Sequence, residues 1–93
     1  MNIQEIKDAV CSVIEISDAE FTSKTQKRAV IYARILFSHH AYNACGNKSK
    51  IAGVICKTEG TVSYYLEQYD WCMNDGVFKN LNHQIEVKIQ EHV

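Results

Sequence analysis

Apolar positions recur along this chain at helical spacing almost from end to end. Ile3, Ile6, Val10, Val13 and Ile14 follow one another at three, four, three and one residues, which predicts an amphipathic helix over roughly residues 2 to 15. Ser17 followed by Glu20 is a capping-box pattern, and Ile16 and Phe21 stand where a hydrophobic staple closes, so a short helical turn is expected next. After the polar stretch SKTQKR, the run KRAVIYARILFSHHAYNA predicts a central helix over roughly residues 27 to 44. Its stripe is Val30, Ala33, Phe37, Ala41 and Ala44, and Ile31, Ile35 and Leu36 widen it, so neighbours are expected on more than one face.

Gly46 suits the end of that helix and Asn47 the N-cap of the next, which runs from about Lys48 to Cys56 with Ile51, Ala52 and Ile55 inward. A tight turn at Lys57 and Thr58 leads into a helix from about Glu59 to Met73, with Val62, Tyr65, Leu66 and Tyr69 toward the core. Asn74-Asp75-Gly76 is a turn cluster, and Val77, Leu81, Ile85 and Ile89 predict a final helix. No stretch alternates with period two. The expected fold is all-α, a compact bundle of five to six helices containing a helix-turn-helix, in one domain spanning residues 1–93. There is no proline and no repeat to mark a linker.

The helix-turn-helix expectation rests on the order Ile51-Ala52, Ile55, Val62, Tyr65-Leu66 across a short turn. A small residue inside the first helix and a β-branched one deep in the second let two helices cross steeply. Cys56 stands at the turn position where glycine is usual, so the turn is made without the residue that adopts positive φ most readily.

Charge sharpens the picture. The formal net charge is −1, yet between residues 23 and 58 there are seven cations and no carboxylate. The segment before holds Lys7 against five carboxylates, and the segment after holds Lys79 and Lys88 against six. A basic block between acidic flanks is the footprint of an anion-binding face. The four cysteines are far apart without a C-x-x-C pair and are expected to be reduced, mostly buried small hydrophobes. His39 and His40 with Cys45 do not make a metal site, because adjacent helical residues point about 100° apart and no second pair completes a tetrahedron. No cysteine has the spacing of a nucleophile with a histidine partner, which points away from an enzyme, and no cofactor is expected. Trp71 and the tyrosines, at helical spacing with Leu66, are expected in the core or on its flank. No apolar run is long enough for a membrane span and the first residues lack a signal-peptide pattern, so the expected location is the cytoplasm.

Ser23-Lys24, Arg28, Val30 and Arg34, together with Thr61-Val62, give the chain a resemblance to the C-terminal DNA-binding domain of the bacterial replication initiator DnaA, a Trp-repressor-like helix-turn-helix. The resemblance runs from roughly Ile3 to Ile85. It implies binding to double-stranded DNA, with Lys24, Lys27 and Arg28 as loop contacts, Arg34 as a backbone contact and Lys48 in the same basic surface. It also implies that Lys57, Thr58, Glu59, Thr61, Ser63 and Tyr64 face the major groove. The family signature Gly-Gly-Arg-Asp-His-Thr-Thr-Val is matched here by Cys56-Lys57-Thr58-Glu59-Gly60-Thr61-Val62, one residue shorter and identical only at Thr61 and Val62. Lysine lacks the bidentate fork of arginine, so the initiator's own DNA box is not the expected target. There is no G-x-x-x-x-G-K-[ST] loop, so this chain alone carries no ATP-driven step.

Phosphate contacts then supply affinity, and the start of the second motif helix supplies specificity in replication or transcription control. The rival expectation is a degenerate helix-turn-helix that binds a replication or transcription protein without DNA. In that case the C-terminal helix, with Glu86 and Glu91 beside Ile85 and Ile89, is a docking or dimer surface. The sequence leaves the oligomeric state open.

Overall fold

Capping side chains set the boundaries of nearly every helix. In a computed structural model, which describes residues 2–91, the described residues form six helices: α1 (Ile3–Ile14), α2 (Asp18–Thr22), α3 (Arg28–Cys45), α4 (Lys48–Ile55), α5 (Glu59–Cys72) and α6 (Gly76–Glu91). The extreme positions of the expected 1–93 domain, Met1, His92 and Val93, lie outside the described residues. Asn2, Ser17, Asn47 and Thr58 each accept a backbone N–H three residues on, and Asp75 accepts from Val77 N. Each satisfies one of the donors that a helix start leaves unpaired. Ser17 and Glu20 form the expected reciprocal box.

α3 is the central element and packs on α1 and α5, while α6 closes against α1 and α4 against α5. The core runs through Ile6, Val10, Phe21, Val30, Leu36, Phe37, Ile51, Ile55, Val62, Phe78 and Ile85, all at most 2% exposed. Burying each such side chain contributes about 1.5–3 kcal/mol. Phe21 meets Phe37 edge to face at 5.5 Å, which ties the short α2 to the bundle.

α6 packs its expected Leu81, Ile85 and Ile89 against the core and differs from expectation only at its first position. Val77 is 64% exposed, whereas Phe78 is fully buried and packs edge to face on Tyr32 and Tyr69. The most buried stripe is Phe78, Asn82 and Ile85, the seven residues from Phe78 to Ile85 returning to nearly the same side, with Leu81 and Ile89 partly buried beside it. Asn82 belongs to that stripe because its polar groups are satisfied: Nδ2 donates to Glu86 at 2.7 Å and Oδ1 lies 2.9 Å from His40 Nε2. Ala44, expected in the α3 stripe, is exposed in the last turn of that helix. No described helix is long and apolar enough to cross a membrane.

The cysteines divide. Cys11 is buried and Cys72 half-buried, as expected, but Cys45 and Cys56 are exposed because both lie at helix C-termini that face solvent. Burial, followed by the charge of Asp18, pushes the Cys11 thiol up to about 11, so it stays protonated and unreactive near neutral pH. The adjacent histidines are engaged in packing: the His39 ring stacks flat on Tyr69 at 3.5 Å and meets His40 edge to face.

Burial, with a smaller contribution from His40, holds His39 below its ordinary 6.5 against the opposing charges of Asp70 and Glu86. The unfolded chain therefore binds this proton more tightly than the folded one. The stability that neutral His39 contributes is present above pH 6.5 and is lost as pH falls through the folded value. Thermal melts at descending pH should show this acid limb, and a His39→Gln variant should flatten it.

Candidate nucleic-acid interface

The basic loop between α2 and α3 is held from below by two cations. Arg34, expected at a DNA backbone, is instead fully buried. Its Nε donates to Phe21 O at 2.9 Å and its Nη1 to Thr25 O at 3.0 Å, while Nη2 donates to Glu20 O at 3.3 Å and also to Ser23 O. The physical reason is the short α2, whose last carbonyls need donors that the helix itself does not supply. A planar five-donor guanidinium on the inward face of α3 supplies them at a helix end where positive charge is favoured.

Lys57, from the turn between α4 and α5, donates its Nζ to the same Ser23 carbonyl at 3.1 Å. That bond brings the α4–α5 turn and the 23–27 loop to one side of the molecule. Within the loop, Ser23 Oγ donates to Glu20 O at 2.8 Å and accepts from Thr25 N at 3.3 Å, and Lys27 N donates to Thr25 Oγ1 at 3.4 Å. The backbone is hydrogen-bonded internally while Lys24, Lys27 and Arg28 are exposed.

The α4–α5 turn consists of Cys56, Lys57 and Thr58. Cys56 takes the left-handed conformation, φ 57°, that glycine adopts more readily, and its N–H caps Ala52 O. The turn therefore has positive φ after all, carried by a side chain exposed to solvent.

The residues expected to face the major groove are partly committed elsewhere. Thr58 Oγ1 caps Thr61 N at 3.2 Å and lies 3.1 Å from Thr61 Oγ1. Ser63 Oγ accepts from Lys48 Nζ at 3.0 Å, and that ammonium stands 5.9 Å from the centre of the Tyr42 ring. Glu59 and Tyr64 are exposed, Tyr64 by 55%. The exposed surface thus keeps Lys24, Lys27, Arg28 and Lys50 as outward cations, with Lys48 and Lys57 half-buried behind them.

Comparison with protein-family models, with curated proteins and with solved structures returns no match.

The sequence reading missed two features of this face. The first is Trp71, expected in the core or on its flank and found 72% exposed. It falls one α5 stripe below Tyr64, a seven-residue spacing that returns to nearly the same side of a helix. The second is the Arg34 clamp, for which the sequence offered one signal, an arginine inside an otherwise apolar stretch of α3. α5 itself carries Glu59, Glu67 and Asp70 on its exposed surface and no lysine or arginine.

Proposed function

We propose that the chain binds double-stranded DNA as a helix-turn-helix domain in replication or transcription control. Lys24, Lys27 and Arg28 lie on phosphates, and the first two turns of α5, with Glu59 and Tyr64, enter the major groove. The observation that carries this reading is the 3.1 Å bond from Lys57 Nζ to Ser23 O, which sets the basic loop beside the turn that leads into α5. The resemblance to the DnaA C-terminal domain supports it. Arg34 has no direct part in the contact; it holds the loop that makes it. Affinity is mostly electrostatic and comes from the loop cations, because the side chains free to read bases are few.

The test is a salt series with random-sequence duplex DNA. Each phosphate contact contributes about −0.9 to the slope of log affinity against log salt, so a Lys27→Ala, Arg28→Ala double variant should flatten that slope by about 2. The variant should weaken binding alike on all sequences. Absence of binding even near roughly 50 mM salt, where such contacts are strong, rejects the reading. A second reading, a protein-interaction module, is favoured by one observation: the exposed carboxylates Glu59, Glu67 and Asp70 on the helix that would meet phosphates.

A further inference from the structure

α4 carries a glycine that nothing inside the protein calls for. Gly53 lies within the helix, where glycine costs stability relative to alanine. A glycine is ordinarily kept for a positive φ or for a neighbour packed against it. Gly46 is of the first kind, ending α3 at φ 61°. Gly53 has neither use: its φ is not positive, it is exposed, and a methyl group added there would meet nothing within 4 Å. The remaining use is room for a ligand to approach the helix backbone closely.

The surroundings indicate the chemistry of that ligand. Lys50 is exposed three residues earlier, within about 60° of Gly53 around the helix. Lys57 follows in the turn, and its ammonium reaches the Ser23 carbonyl of the basic loop. From Lys48 to Thr58 the chain holds three lysines and no carboxylate, and among the described residues none of the three is paired with one. α4 also touches α2, at whose end that loop begins. The face around Gly53 is therefore cationic and adjoins the loop that carries Lys24, Lys27 and Arg28.

We propose that one sugar–phosphate strand of duplex DNA crosses α4 at Gly53, with a phosphate on the Lys50 ammonium and a sugar in the space that a side chain would fill. This rests on the DNA reading and adds α4 to it, since in a helix-turn-helix the first helix crosses the backbone while the second enters the groove. The contact supplies affinity and register and carries no base sequence of its own.

Duplex binding by glycine variants of the full chain, measured beside their thermal melts, tests the assignment. Gly53→Ala should raise the melting temperature by roughly 2–8 °C, because the fold gives this glycine no task. The same substitution should weaken binding to random-sequence duplex, and Gly53→Gln, with its longer side chain, should weaken it by about tenfold. Gly76→Ala, at an equally open glycine at the start of α6, should bind as wild type does. Lys50→Ala should flatten the slope of log affinity against log salt by about 1. A strand lifted off Gly53 also leaves Lys50, so the double variant Lys50→Ala, Gly53→Gln should lose less than the product of the two single losses.

A Gly53→Gln variant that binds duplex like wild type overturns the proposal. So does a Gly53→Ala melt below that of wild type, which would give the glycine a task inside the fold, and so does a Lys50→Ala slope equal to that of wild type. If the Lys27→Ala, Arg28→Ala variant still weakens binding in those cases, the DNA reading stands and the strand lies elsewhere. If wild type binds no duplex near roughly 50 mM salt, both fall together.

Discussion

An Arg34→Met variant should lose about 2–4 kcal/mol of folding stability, because the Phe21 and Thr25 carbonyls lose their guanidinium donors and each unsatisfied buried group costs roughly 1–3 kcal/mol. The loss stays in the lower part of that sum because methionine also removes the cost of burying a cation. For a chain of this length the melting temperature should drop by at least about 8 °C, since each kcal/mol corresponds to roughly 4–8 °C. Arg34→Lys should recover little: one ammonium cannot span carbonyls that belong to Glu20, Phe21, Ser23 and Thr25. Thermal unfolding followed by circular dichroism decides the matter. An unchanged melt together with weaker duplex binding would restore the surface role that the resemblance implies.

The second large effect concerns α6. Phe78→Ala should cost about 3–5 kcal/mol, the usual range for emptying an aromatic site in a core, whereas Val77→Ala should stay within about 0.5 kcal/mol. The contrast is steep because adjacent residues of one helix point about 100° apart, and Phe78 is the one packed on Tyr32 and Tyr69. Urea unfolding of both variants measures it, and comparable losses for the two would contradict the register described here.

Most of the helical framework was legible in the sequence because periodicity and caps agreed with each other. Ser17 and Glu20, Asn47, Gly46 and Thr58 stand at boundaries that the apolar spacing marks independently. What escaped depended on polar groups satisfied inside. Asn82 breaks the apolar stripe of α6, so the pattern of Val77, Leu81, Ile85 and Ile89 looked complete while Phe78 was passed over. Arg34 reads as a surface cation unless the carbonyls at the end of α2 are known to converge on it. Trp71 reads as core because hydrophobicity alone does not tell which side of α5 lacks a neighbour. At the candidate site, the grouping of Lys24, Lys27 and Arg28 followed from the chain, but their position beside α5 required the long-range bond from Lys57.

The Ser23 carbonyl, shared by Arg34 and Lys57, has a thermodynamic consequence. A loop that must become ordered on meeting its target loses roughly 1–2 kcal/mol of backbone entropy per residue at that moment. Here hydrogen bonds within the 23–27 segment and from Arg34 and Lys57 hold its backbone in the folded domain, so the proposed association with DNA should carry the heat-capacity change of rigid surfaces meeting, without the larger change of coupled folding. Calorimetry across temperature can read that difference, and loosening the clamp at Lys57 should turn the same encounter into one that includes a disorder-to-order step.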